Sequence, residues 1–504
     1  MNFRNILSGK AFKILAIGFL FSICLIDVRA QAPESNAPIT SRDRVYQADQ
    51  TSNTVSVIDP AENKLLGLIK LGDARPNVLS PLYKGELNVH GLGFSPDHKT
   101  LAVISTGSNS VTLIDTATNK VKGIIYIGRS PHEGFFTPDG KQLWVVVRGE
   151  DYISVIDPEK MRETRRITTA NGPGMVVFTP DGRRAFVCHS FTAELDVIDT
   201  RSYEVVKRIP VVSPFSPNLA ITADGAEVWM THKDVGKTTI VDARRMEVTS
   251  VLETGAVTNH VNFAQTAQGR LAYITIGGEN SVKVYKHGNG APELVAAIPT
   301  GALPHGIWAS DNGSRIYVAL ENGDAVDVID TARQKVIAQI KTGQMPQALV
   351  FVSNAAPDAN AANLVPLERA IENIQLKFVV PTGGKKMNYK MTKAAPGGFG
   401  VVRPLGLLDG LEVNFSGLEP DADYQLILSD NPKAEAKDST ILTVIKSDKN
   451  GKATGQALGP LREILQSAAT KNESATRRIV LRCALASGTG GNPGEVVLES
   501  MINR

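Results

Sequence analysis

LAVISTGSNSVTLID, residues Leu101–Asp115, is a short apolar strand, a polar turn, a second apolar strand and a closing aspartate. The same phrase recurs as VYQADQTSNTVSVID (Val45–Asp59), LWVVVRGEDYISVID (Leu143–Asp157), AFVCHSFTAELDVID (Ala185–Asp199), VWMTHKDVGKTTIVD (Val228–Asp242), AYITIGGENSVKVYK (Ala272–Lys286) and IYVALENGDAVDVID (Ile316–Asp330). Successive copies end 56, 42, 42, 43, 44 and 44 residues apart. Paired strands at a period in the forties mark a propeller, because a single blade cannot bury its faces without neighbours. Seven copies predict seven blades.

Working outward, each copy is preceded by an apolar run that ends in a turn, such as HEGFFTPDGKQ (His132–Gln142), and followed by another strand, such as KVKGIIYI (Lys120–Ile127). Pro-Asp-Gly and Asn-Gly supply the backbone dihedrals such hairpins need. Each unit therefore reads as four antiparallel strands, A (inner) to D (outer). A-type runs begin near His90, His132, Met175, Asn218, His260, His305 and Gln347. The first B–C–D set (Val45–Leu71) lacks an A strand, and the last A strand (Gln347–Phe351) lacks a B–C–D set. The two complete one another, closing the ring in a shared blade and removing exposed sheet edges.

The pieces NTVSVID, NSVTLIDTATNKV and FTPDGRRAFV resemble the YVTN family of seven-bladed β-propellers over about residues 43–354. The resemblance implies an exported protein of bacterial or archaeal type. Related propellers serve as binding surfaces, lactonases, lyases and haem d1 carriers, so the family does not name the chemistry. The Trp-Asp and Gly-His marks of WD40 repeats are missing.

Arg4, Lys10 and Lys13 precede the apolar run Ile14–Ile26, and Val28-Arg29-Ala30 offers a small-residue cleavage site. Residues 1–30 thus read as a secretory signal peptide, too short for a membrane span and with no second apolar stretch after it. The expected location is periplasmic, extracellular or at the cell surface. The signal holds four basic residues and one acid, so the remaining chain carries 50 of each and a formal net charge of zero. No basic field is present to attract nucleic acid or an anionic membrane. Cys188 and Cys483 fall in different domains, which argues against a disulfide framework.

Residues 355–366 read as an exposed linker, and 367–504 as a second domain in which the repeat stops. Six strand-like runs there (Ile374–Val380, Leu411–Leu418, Tyr424–Asp430, Thr440–Asp448, Arg478–Leu485 and Glu495–Ile502) predict a β-sandwich-like domain, with a short helix over Leu461–Lys471. The expected fold class is therefore all-β: a closed seven-bladed propeller followed by that domain. The second domain contains no histidine, which excludes a cupredoxin copper site.

Strand A begins, and strand B ends, at one mouth of the channel, here called the top. His90, His132, His260 and His305 begin A strands in four blades, while His189, His232 and Arg148 end B strands. Lys233 and Glu321 sit in the adjoining loops, and the long first spacing places an insertion, Asp73–Val89 with Tyr83, over the same mouth. His98 and His287 fall in bottom or outer turns and look incidental. Several imidazoles facing a funnel suit a transition metal such as copper, zinc or iron, or a haem; His90, His132, His260 and His305 are the candidate ligands. Arg148, His189, His232, Lys233, Glu321 and Tyr83 are candidate binding residues. His132 with Glu133 and Arg148 would suit the acid–base chemistry of a lactonase or lyase. The leading expectation is an exported binding or scaffold protein that takes a protein or small-molecule partner at this mouth, rather than an enzyme. Cys188-His189 lacks the first cysteine of a c-type haem motif, since Ala185 stands in its place.

Overall fold

The structure is a computed structural model that describes residues 37–72, 87–288, 290–367, 373–381, 396–404, 408–429, 439–462, 464–465, 478–483 and 496–502. The signal segment and Asp73–Glu86, with Tyr83, lie outside these residues. Seven four-stranded antiparallel sheets form the ring. Blade 2 is typical, with strands Val89–Phe94, Thr100–Ser105, Ser110–Asp115 and Val121–Tyr126. Inner strands stack against neighbouring blades on both faces, so Thr100–Ser105 is buried throughout. The wedge widens outward, and a D strand such as Arg162–Thr168 buries only Ile167.

Ring closure follows the repeat. Strand Pro346–Val352 pairs antiparallel with Arg44–Asp49, placing Val45 opposite Phe351 and Tyr46 opposite Val350. The end of the propeller segment thus supplies strand A of blade 1, whose sheet continues through Thr54–Asp59 and Lys64–Lys70. Phe351, Tyr317, Tyr46 and Val350 share one core across this seam.

The recurrent aspartate has a local cause. Asp199 Oδ1 accepts from the backbone N–H groups of Arg201 and Ser202, both at 2.9 Å, and Asp242 and Asp157 do the same two and three residues on. This Asx turn carries the chain into a left-handed residue before strand D: Asn63, Asn119, Met161, Tyr203, Met246 and Gln334 all have positive φ. Blade 6, where Lys286 replaces the aspartate, uses Gly288 and Gly290 at positive φ.

The second domain is one eight-stranded sheet, in the order Ser439–Lys446, Asp423–Ser429, Arg478–Cys483, Val496–Ile502, Ile374–Val379, Gly397–Pro404, Asp409–Ser416 and Ala453–Gly459. Rather than stacking as two layers, it rolls until its edges meet: a Cβ on Gly455 would lie 2.5 Å from Ile445 Cγ2. Phe378, Val413, Phe415, Leu426 and Leu481 fill the interior. Strands GGFGVVRP and ATGQALG were not expected, because glycine interrupts their apolar alternation. Of the expected helix, Leu461, Arg462, Ile464 and Leu465 are helical and the rest lies outside the described residues.

The connecting segment 355–366 is not the free tether its composition suggested. Asn119 Nδ2 donates to Ala362 O at 3.0 Å, Asn363 Nδ2 to Thr118 O at 2.8 Å and Arg44 Nη2 to Asn360 O at 3.0 Å. Leu68 and Val365 form a bridge pair. The first and third of these bonds and the bridge satisfy backbone groups of the segment, and the second a carbonyl of blade 2.

Candidate functional site at the propeller mouth

Equivalent positions within the first three residues of strand A form a ring around the top of the channel: His90, His132, Gly174, Asn218, His260, His305 and Gln347. A register shift at the start of strand A contains each of the four histidines. Such bulges release a residue from the ladder and re-aim its side chain. The His90 and His132 ring centroids are 4.3 Å apart, those of His260 and His305 4.6 Å, and those of His90 and His305 6.2 Å. The four predicted metal candidates thus lie in one cluster.

Hydrogen bonds assign the protons. His132 Nδ1 lies 2.7 Å from Gly174 O, an acceptor only, so Nδ1 carries hydrogen and Nε2 a lone pair. His90 Nδ1 lies 3.3 Å from the Gln50 side-chain amide. Its Nε2 stands 2.8 Å from His132 Nε2. His260 has the opposite tautomer. Asn218 Oδ1 accepts from Val261 N–H at 3.0 Å, which turns Asn218 Nδ2 toward His260 Nδ1 at 3.1 Å. His260 Nε2 therefore carries hydrogen, and neither it nor His305 Nδ1 has a partner.

Burial keeps these rings neutral. Desolvation pushes His90 and His260 down to about 3, with Lys233 adding to both and Arg148 to His90; His132 and His305 move the same way for the same first cause. Glu133, beside His132, is buried with no side-chain hydrogen-bond partner among the described residues; desolvation raises it well above the carboxylate range, against a smaller opposing effect of the Leu92 backbone. Arg148 lies over the rings of Phe191 and Phe215, 5.9 and 5.6 Å from their centroids, with Nε unpartnered. Lys233 is half-buried at the rim.

Two predicted binding residues are occupied within their own blades. His189 Nδ1 donates to Glu194 O at 2.9 Å and its Nε2 lies 3.5 Å from Asp196. His232 contacts Ser216 Oγ at 2.7 Å and Thr239 Oγ1 at 2.6 Å. Both end B strands at the top, yet both rings are sequestered between strands. Glu321 does face the mouth, where burial raises its pKa. Tyr83 lies outside the described residues. His98 occupies a left-handed turn position, φ 62°, and bonds Ser353 O; His287 packs on Trp229 near Glu227.

Sequence reading missed Gln50, Asn218 and Gln347, although the last two share the histidines' register position. It also missed the second domain's part. Arg403 lies 3.8 Å from Glu321 and 3.0 Å from Glu412, whose carboxylate accepts from Asn322 Nδ2 at 2.7 Å. Asn373 Nδ2 donates to Asp324 and Gln375 Nε2 to Asn322 O. Lys452 pairs with Glu279. The barrel-like domain therefore sits on the top loops of blades 6 and 7. A groove of about 850 Å³ remains between it and blades 5 and 6, lined by Lys233, Lys237, Lys283, Lys446, Lys449 and Lys452 among others. Below the ring the channel narrows to about 20 Å³, room for one water, above Phe135 and Trp308, which stack 6.5 Å apart.

The family described as "Lactonase, 7-bladed beta-propeller" matches residues 127–348, from blade 3 to the closing strand. Among solved structures, the chain is similar to the hydrazine synthase of Kuenenia stuttgartiensis, with 20% identity over 56% of this chain and 94% of that one (TM-score 0.50). It is also similar to a protein of Desulfotomaculum acetoxidans, with 13% identity over 61% and 98% (TM-score 0.53). A periplasmic gluconolactonase of Pseudomonas aeruginosa gives 17% identity over 62% and 99% (TM-score 0.49). At these identities the structural likenesses speak for the fold alone. A search of curated protein sequences returns no match.

Proposed function

We propose that the protein is a hydrolase that opens a cyclic ester at the top-face pocket. The observation that carries the reading is the division of tautomers in one buried mouth: His132 Nε2 presents a lone pair, while His260 presents an N–H. The lactonase family match over residues 127–348 supports the same class of substrate. Water would lose its proton to the acceptor side and bond to the ester carbonyl carbon. His260 Nε2–H and the Arg148 guanidinium would hold the oxyanion in a site that excludes bulk water. Collapse then breaks the ring C–O bond, and the proton taken from water passes to the departing ring oxygen. The product is the open hydroxy acid, and water is the only other reactant.

The test is turnover of γ- and δ-lactones of hydroxy acids and sugar acids, followed by proton release with the purified chain. His260→Ala and Arg148→Ala should each lower kcat by roughly 10²–10³ with an unchanged melting transition. No rate above spontaneous hydrolysis across the panel would refute the reading and return the mouth to a recognition surface for an unreacted ligand. We also propose that the propeller is of the exported YVTN type, supported by its repeats and by the basic and apolar stretches of residues 1–30. Protein recovered from the periplasm or medium and beginning at Gln31 is the expected result; an intact Met1 would refute it.

A further inference from the structure

His90 Nε2 and His132 Nε2 converge to 2.8 Å, with their ring centroids 4.3 Å apart, a spacing that one shared proton or one bound cation bridges. Each ring is locked in that orientation from behind, His132 by Gly174 O and His90 by Gln50 Oε1. Hydrogen bonds of this kind, which fix tautomer and ring direction, are what commonly stands behind metal-binding histidines. Beside the pair lies a carboxylate with no partner of its own. One ligand atom each from His90, His132 and Glu133 falls within 4.8 Å of the others, and all three residues are buried, at 8%, 4% and 2% exposure. Gly91 makes the approach possible, because a Cβ there would lie 2.8 Å from Glu133 Oε2 and 2.3 Å from His132 O.

We infer that His90 Nε2, His132 Nε2 and Glu133 bind one divalent transition-metal ion of the zinc type. Two nitrogens bound at about 2.0–2.1 Å and subtending 90–109° at a metal stand roughly 2.9–3.3 Å apart, so the observed pair needs a shift of only a few tenths of an ångström. Among the described residues no cationic side chain is paired with Glu133, so binding of the ion would release its proton and supply the counter-charge. Two histidines and a glutamate also leave a fourth position open, as catalytic zinc sites do. Across the ring, His260 Nε2 and His305 Nδ1 have no partner among the described residues. The site differs from the four-histidine set expected from the sequence, since it takes one pair of the ring and adds Glu133. It stands on geometry and does not require that a lactone be the substrate; with the ion bound, the two Nε2 atoms are its ligands and no longer the proton acceptor of the hydrolysis proposed above.

The test uses the full chain, stripped with chelator and titrated with Co²⁺ alone, read by visible absorption and by metal content after gel filtration. One ion per chain with a d–d band of a low-coordinate N/O site is expected. Glu133→Gln and His132→Gln should each weaken binding at least tenfold. Gln50→Leu, which touches no ion, should weaken it about 10- to 100-fold through loss of His90 orientation. Circular dichroism of the stripped variants checks that each is folded, and the near-isosteric Glu133→Gln serves if a histidine variant is not. No Co²⁺ uptake by the stripped wild-type chain, or uptake unchanged in folded Glu133→Gln, would overturn the inference. In the first case a shared proton bridges the two rings instead.

Discussion

Replacing Asp49 by Asn should flatten the pH dependence of stability. Asp49 ends strand B of blade 1 and is fully buried; its Oδ2 accepts from Thr54 Oγ1 at 2.9 Å and Ser56 Oγ at 2.7 Å, while Oδ1 has no partner. No cation compensates it, and desolvation pushes the carboxyl from 3.8 up to about 8. Between those values the folded chain holds a proton that the unfolded chain releases. Asp49 therefore favours folding most below pH 4, and the benefit is lost as pH rises toward 8. The slope is about 1.4 kcal/mol per pH unit, or about 3 kcal/mol from pH 5 to pH 7. Asn keeps the shape and an acceptor oxygen but has nothing to titrate. Urea unfolding of both proteins at pH 5, 6 and 7 isolates the residue, because every other group cancels in the difference. With an m-value of about 3 kcal/mol per molar, the wild-type midpoint should fall by about 1 M relative to Asp49→Asn across that range. Parallel profiles would refute the reasoning and mean that Asp49 is ionised in the fold.

Two further outcomes concern architecture. Phe351→Ala empties a site at the closing seam where the ring is 2% exposed and stacks 6.0 Å from Tyr317, and should cost about 3–5 kcal/mol by chemical denaturation; a loss under about 1 kcal/mol would mean that the last strand does not hold the ring. Mild proteolysis should spare residues 357–366 in the wild type but cut them in the double variant Asn119→Ala/Asn363→Ala, since these two amides tie the segment to blade 2; early cleavage of the wild type would show the tie to be ineffective.

Blade number, strand order, the closing strand and the direction of each A strand were legible in the sequence, because strand period and blade period are local and repeat seven times. Even the recurrent aspartate and the left-handed residue four places after it belong to a single turn. The same ruler brought His90, His132, His260 and His305 to one mouth. It could not separate them from His189 and His232, which also reach the top but are held inside their blades, His232 through both ring nitrogens and His189 through Nδ1 with Nε2 3.5 Å from Asp196. Position along a strand gives the face of the disc; it does not give the partner of a nitrogen, which for the mouth histidines comes from a neighbouring blade, Gln50 for His90 and Gly174 for His132, and for His189 and His232 from within the blade. The second domain shows the same limit. Its strands alternate, so a β domain was readable, but alternation is equally compatible with two stacked sheets and with one sheet rolled on itself. Rolling was decided by close packing at glycines such as Gly455, and docking on blades 6 and 7 by the pairing of Arg403 with Glu321 and of Lys452 with Glu279. Repetition writes a fold into the sequence because every copy restates it, whereas a site is made once, from side chains that meet only when the ring has closed.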